Sequence, residues 1–158
     1  MNIVKIDKVD IFKKYQKDIE VFLDETLIDN FPKEFIPPNY SKNKYIEILK
    51  YIENKTAIIY FAIEKENLLG WIWAYELNRL KEKRLHITEI TVAKNFRGKG
   101  IGQKLLQQIL NYAEINNYNA IDLMATSNNK KVINFYNKFG FIEERQLMVK
   151  LSKESKKQ

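Results

Sequence analysis

The chain has 158 residues, 45% of them hydrophobic and 13% aromatic, which suits one domain with one core. It contains no cysteine, and that excludes disulfides, thiolate zinc sites and a cysteine acyl-enzyme. No apolar run approaches the roughly 18 residues of a membrane span, residues 1–10 show no signal-peptide core, and a protein of the cytoplasm is the expectation. The net charge is +7, which suits an anionic partner such as nucleic acid or a phosphate-rich cofactor. Abundant Lys, Asn and Ile and an even spread of the charge favour a compositional cause, and no nucleic-acid motif is present. Neither a nucleic-acid nor a membrane partner is expected, and no metal site.

Residues 1–6 alternate enough for a short strand. Phe12, Tyr15, Ile19, Phe22, Leu23 and Leu27 recur at spacings of three and four, which predicts an amphipathic helix. Residues 31–40 hold all three prolines and read as a loop, and Ser41 is the expected N-cap of a second helix carrying Tyr45, Ile48, Leu49 and Ile52. Residues 57–63 and 68–77 are β-rich about a turn at 64–67 and predict an antiparallel hairpin. A charged connection over 78–84 leads to a strand over 85–92. Ile101, Leu105, Ile109 and Ala113 mark a long helix, widened by Leu106, Leu110 and Tyr112. A short buried strand over 120–125, a helix over 130–139 ended by Gly140, and closing strands over 141–144 and 147–151 complete the chain. Strand–helix–strand in the second half implies a parallel pair. The expected architecture is α/β of the α+β type: a mixed sheet of six to seven strands with helices on both faces, in one domain over 1–151. A polar, lysine-rich tail over 152–158 is expected to fray.

The sharpest local signal is Arg97-Gly98-Lys99-Gly100-Ile101-Gly102, between a strand and a helix. Glycines permit a tight turn and close approach of a ligand. The helix N-terminus offers unpaired N–H groups and a partial positive charge. Together they suit a pyrophosphate. Gln103 stands where a dinucleotide-binding fingerprint needs glycine, and no Gly-Lys-Ser/Thr P-loop ending exists.

With this turn placed after Ile87-Thr88-Glu89-Ile90-Thr91-Val92, the sequence resembles the GNAT superfamily of N-acetyltransferases. Its motif Arg/Gln-x-x-Gly-x-Gly/Ala is met by Arg97, Gly100 and Gly102. Its second motif, Asn-x-x-Ala-x-x-φ-Tyr-x-x-x-Gly-Phe, is met by Asn129, Phe135, Tyr136, Gly140 and Phe141, with Val132 in place of alanine. The resemblance implies a GNAT fold in which the parallel fourth and fifth strands splay and take the pantetheine of acetyl-CoA between them. The backbone of Ile90, Thr91 and Val92 would then bind pantetheine, with the Ile90 amide polarising the thioester carbonyl. The amides of Arg97, Gly98, Lys99, Gly100, Ile101 and Gly102 would hold the pyrophosphate, and Asn129 would touch the cofactor. The implied reaction is direct attack of a primary amine on the thioester, without a covalent acyl-enzyme. Glu89 is the first candidate for the base and His86 the second, with Tyr136 as the acid and a further cofactor contact.

Phe31, Phe35 and Tyr40 in the proline loop and Trp71, Trp73 and Tyr75 on one strand face are candidate walls of an acceptor pocket. With the nearby acids Asp24, Glu25, Asp29 and Glu76, they would suit a cationic amine. The acceptor class stays open between small amines and protein amines. An acetyl-CoA-binding sensor without turnover is the rival reading. A homodimer is common among similar proteins.

Overall fold

A computed structural model describes residues 1–150 as two compact units, the first over Met1–Met124 and the second beginning at Ala125. The first unit is built on a sheet of five strands in the order β1-β2-β3-β4-β5: β1 (Asn2–Ile6), β2 (Ala57–Glu64), β3 (Asn67–Arg79), β4 (Glu82–Val92) and β5 (Ala120–Leu123). All neighbours pair antiparallel except β4 and β5, which are parallel as expected. Four helices complete it: α1 (Val9–Lys14), α2 (Gln16–Asn30), α3 (Tyr40–Glu53) and α4 (Ile101–Ile115).

Alternation along the strands sends two apolar sets to opposite faces. Ile59, Phe61, Trp71 and Trp73 face one way and form a single buried cluster with Phe12 of α1, Ile19, Phe22 and Leu23 of α2, and Tyr45, Ile48 and Ile52 of α3. Ile72, Ala74, Leu85 and Ile87 face the other way, toward the side on which α4 crosses β2, β3 and β4. The buried stripe of α4 is Ile101, Leu105, Leu106, Ile109 and Ala113.

The first predicted helix is divided. Tyr15 leaves helical geometry at φ −107° and ψ 20° and packs edge-on against Phe61 at 5.6 Å. The apolar spacing runs through the break because both segments serve the same core. Asn39, in the left-handed region at φ 58°, precedes α3, while Ser41 is buried inside its first turn rather than capping it. The charged stretch 78–84 is not a loop: β3 and β4 extend through it as a hairpin, turning at the exposed Leu80 and Lys81, with Arg84 buried. In the connection over residues 31–40, Lys33–Phe35 forms one turn of 3-10 helix.

The second unit holds α5 (Lys130–Asn137). Asn129 caps it, its Oδ1 accepting from the Val132 amide at 3.2 Å. Tyr136 is buried, its ring edge-on to Phe135 and Phe141 at 5.2 and 5.3 Å. Gly140 takes φ 82°, the left-handed cap expected of it. The expected closing strands are absent over 141–150, so the described sheet has five strands rather than six or seven. A strand exists only through a ladder partner. Residues 141–150 have none, and Ile142, Leu147, Met148 and Val149 are exposed. Leu151 and the tail over 152–158 lie outside the described residues.

Candidate active site

Strand β4 is paired with β3 along its whole length, from Arg79↔Glu82 to Gly70↔Val92. Its pairing with β5 begins at Arg84↔Ala120 and ends at Ile87↔Leu123. Residues 88–92 therefore present backbone donors and acceptors to an edge that no described strand fills. A pantetheine arm, with its two amides, fits that edge as a substitute strand.

The same segment carries a β-bulge. Trp73 lies opposite Glu89 but Ala74 lies opposite Ile87, so Thr88 is the extra residue. Directly opposed residues share a face. Tyr75, Trp73 and Trp71 are opposed to His86, Glu89 and Thr91. The bulge thus brings His86 and Glu89 to one face despite their odd spacing in sequence.

On that face Glu89 is partly buried, and Oε1 accepts hydrogen bonds from the hydroxyls of Thr26 on α2 and of Thr91, the latter at 2.6 Å. The two hydroxyl oxygens lie 2.9 Å apart. Burial pushes the Glu89 carboxyl above the usual carboxylate range, and the two threonines and the charge of Lys44 pull against it. His86 lies against Asp122 of β5, Nδ1 to Oδ1 at 2.5 Å, under the ring of Tyr75 at 5.4 Å.

Above this face runs one stripe of α3. Tyr40, Lys44, Glu47 and Tyr51 recur at helical spacing. Lys44 Nζ sits 5.7 Å from the Trp73 ring centre and 3.0 Å from Glu47 Oε1. Tyr51 packs on Trp73 and Tyr75 at 5.5 and 5.4 Å. Burial raises the Tyr40 and Tyr75 hydroxyls above their ordinary value, and the Glu89 charge raises Tyr40 further.

After β4 the chain turns through Gly98 at φ 78° and Gly100 at φ 77°, conformations that favour glycine. The first bond of α4 runs from the Lys104 amide to the Gly100 carbonyl. The amides of Ile101, Gly102 and Gln103 therefore have no carbonyl within the helix and suit an anion. Arg97 does not point there. Its Nε donates to the Val92 carbonyl at 2.9 Å, and its two terminal nitrogens meet Asp29 and Glu25 of α2 at 3.3 and 3.2 Å. Lys99 remains exposed at the turn.

A sequence profile described as "Acetyltransferase (GNAT) family" matches residues 22–141, most of the chain. The chain belongs to the GNAT acetyltransferase family. Among curated relatives, it is 29% identical over 66% of its length to "Probable N-acetyltransferase san" of Drosophila melanogaster, and the match spans 55% of that protein. It is 26% identical over 90% of its length to the "N-terminal acetyltransferase B complex catalytic subunit NAT3" of Saccharomyces cerevisiae, spanning 69% of that protein. Thus the chain covers just over half of the fly relative. The same fold appears in a crystal structure of a "predicted acetyltransferase with acetyl-CoA" from Clostridium acetobutylicum, with a TM-score of 0.72 and 21% identity over 94% of this chain and 95% of that one.

Within the GNAT fold, only some of the residues expected at the site come together. Glu89, His86, Thr91, Tyr40 and Tyr75 come together around β4, with Ile90 and Val92 on the unpaired segment and residues 97–102 forming the turn after it. Trp71 and Trp73, at 0% and 1% exposure, are core side chains rather than walls of an open pocket. Phe31 and Phe35 are exposed on the connection after α2. Glu25 and Asp29 are taken up by Lys94 and Arg97, and Glu76 by Lys83 and Tyr118. Asn129 and Tyr136 belong to the second unit. Sequence reading missed Thr26, Asp122, Lys44, Glu47 and Tyr51. In the sequence α3 is marked by its apolar stripe, Tyr45, Ile48, Leu49 and Ile52, and the polar stripe 40/44/47/51 carries no apolar signal that would single it out.

Proposed function

We propose that the protein transfers an acetyl group from acetyl-CoA to a primary amine by direct attack on the thioester, with no covalent acyl-enzyme. The observation that carries this reading is Glu89, a carboxylate held by two threonine hydroxyls beside the point where β4 parts from β5. An alkylamine has a pKa near 10.4 by analogy with lysine and is mostly protonated at neutral pH. The attacking nitrogen must be neutral, so a group beside the thioester has to take its proton. Glu89 serves as that base. Burial raises its proton affinity above that of an ordinary carboxylate, the direction a base needs.

The backbone of Ile90, Thr91 and Val92 holds the pantetheine, and the Ile90 amide polarises the carbonyl. The amides of the glycine turn and of the first turn of α4, Ile101, Gly102 and Gln103 among them, hold the pyrophosphate, while that of Arg97 is taken by the Lys94 carbonyl. By the family motif, Asn129 contacts acetyl-CoA and Tyr136 supplies a proton to the departing thiolate. The acceptor meets Tyr40 and Tyr75. Lys44 and Glu47, an ion pair on the same side, set a mixed charge there rather than a purely acidic pocket.

Calorimetry and thermal shift with acetyl-CoA, followed by CoA release with a set of primary amines, test the reading. Binding with release from at least one amine is the expected result. Binding with no release from any amine favours an acetyl-CoA-binding module. Absence of binding by folded protein overturns both.

A further inference from the structure

His86 is the chain's single histidine, and its surroundings fix the ring on several sides. Across the parallel pair, His86 and Asp122 are direct partners. Asp122 Oδ1 lies 2.5 Å from His86 Nδ1, while Oδ2 lies 3.4 Å from Arg84 Nη1. Arg84 also holds Glu82 at 2.5 Å. From β3, Tyr75 packs on the imidazole at 5.4 Å, and Lys44, Glu47 and Tyr51 of α3 act on Tyr75 in turn. The side chains of His86 and Asp122 are only 15% and 20% exposed. A carboxylate accepts hydrogen bonds, so a contact from Asp122 Oδ1 to Nδ1 favours the tautomer of the ring in which Nδ1 donates and Nε2 keeps the lone pair.

We propose that Asp122 is a positioning residue that fixes His86 in the Nδ1–H tautomer, so that Nε2 receives the proton Glu89 removes from the acceptor amine. The proposal rests on the reading of the site as an amine acetyltransferase. The bulge at Thr88 is what makes it geometrically sound. His86 and Glu89 stand opposite Tyr75 and Trp73, successive residues of one face of β3. That spacing is about 7 Å along the backbone of β3, more than two hydrogen bonds through a single water span, so the proposed transfer from Glu89 to His86 runs through a short chain of waters.

The balance of the step is simple. The amine nitrogen forms a bond to the acetyl carbon, the carbon–sulfur bond breaks, and the electron pair leaves with the thiolate. The proton lost by nitrogen passes to Glu89, then to His86 Nε2, and from the imidazolium to solvent. The thiolate takes up a proton separately. Asp122 faces the imidazolium as it forms, the role a carboxylate plays behind a catalytic histidine.

The test begins without any acceptor. In the ¹⁵N-labelled chain the single histidine gives one imidazole signal set, and long-range proton–nitrogen correlations report its tautomer. The expected result is Nδ1–H in the wild type and a shift to Nε2–H in Asp122→Asn, whose amide can donate to Nδ1. Turnover is then measured with whichever amine the wild type acetylates fastest, from a peptide with a free N-terminus, a lysine peptide, a polyamine and an aminoglycoside. Asp122→Asn is expected to lower kcat about 100-fold with unchanged acetyl-CoA affinity. His86→Gln is expected to fall as far, and the double variant no further, because the two residues act as a unit. An Nε2–H tautomer in the wild type, or a variant with flipped tautomer and wild-type kcat, overturns the proposal. Failure of the wild type to bind acetyl-CoA overturns the acetyl-transfer reading itself, and it is told apart because the tautomer spectrum needs no ligand.

Discussion

Glu89 accepts from Thr26 and Thr91 on one carboxylate oxygen while burial works against its charge. Burial is the larger influence, so its folded pKa is raised. A carboxyl that binds its proton more tightly when folded stabilises the fold below the ordinary carboxylate pKa. That stability is lost as pH rises through the raised value. At neutral pH, Glu89→Gln is therefore expected to melt higher than the wild type, since the amide oxygen still accepts from both threonines and no charge is buried. The same variant is expected to lose about 10²- to 10⁴-fold in kcat, the range for a positioned base. A variant that melts no higher would show that burial does not dominate at this carboxyl. Thr26→Val keeps the shape and removes a donor that lowers the Glu89 pKa. The acid limb of its pH–rate profile is expected to move to higher pH, and its stability to fall by about 1.5–3 kcal/mol in urea melts. The roles differ in how legible they were. Glu89 stood out through the resemblance to a family that places acids at this point of the strand, and His86 as the chain's single histidine. Thr26 is 63 residues from Glu89 and Asp122 is 36 from His86, and only the packing of α2 on β4 and the β4–β5 register bring them in.

Close approach of β3 to the end of β4 depends on Gly70. A Cβ there would lie 2.7 Å from the Thr91 carbonyl oxygen and 3.2 Å from Val92 Cα, both backbone atoms that cannot swing aside. Gly70→Ala is expected to cost about 1–3 kcal/mol, as overpacking does. Because the displaced atoms belong to the unpaired segment of β4, acetyl-CoA affinity is expected to fall as well. Gly98→Ala is the control: its Cβ would meet nothing within 4 Å, so only the left-handed backbone is strained, by about 1–2 kcal/mol. Denaturant midpoints rank the two, and equal losses would mean that Gly70 is not a contact point. At this scale the sequence was informative about which elements exist and weaker about where they stop. Apolar spacing located α2, α3 and α4, yet it ran unbroken through Tyr15, whose backbone leaves the helix. The charged hairpin end at 78–84 read as a loop because its residues, the buried Arg84 included, are mostly polar and lack the apolar alternation that marks a half-buried strand. The bulge at Thr88 left no trace in the pattern, since its cause is the register with β3.

Both tryptophans sit in the first unit, side by side on one face of β3 and buried in its core, and the unpaired edge of β4 and the glycine turn belong to the same unit. Tryptophan fluorescence therefore reports the unfolding of the body that holds these parts of the site. A ligand that binds only the folded form adds RT ln(1 + [L]/Kd), about 2.7 kcal/mol at 100 times its dissociation constant. For a chain of this size that is expected to raise the fluorescence melt by several degrees. In Gly100→Asp the shift is expected to vanish. Gly100 holds φ 77° at the start of α4, and a carboxylate there places a negative charge among the amides that would face the pyrophosphate. The variant's own melt sets the baseline, so strain from the left-handed backbone is separated from lost binding. The net charge of +7 gives the competing explanation of any acetyl-CoA effect, namely general attraction of an anion. General attraction would be screened away as salt rises past the physiological range, where the Debye length is about 8 Å. It would also survive a single substitution at the turn. A shift that persists at high salt in the wild type and is absent in Gly100→Asp assigns the cofactor to the turn. One that fades with salt in both proteins alike removes the turn from the account.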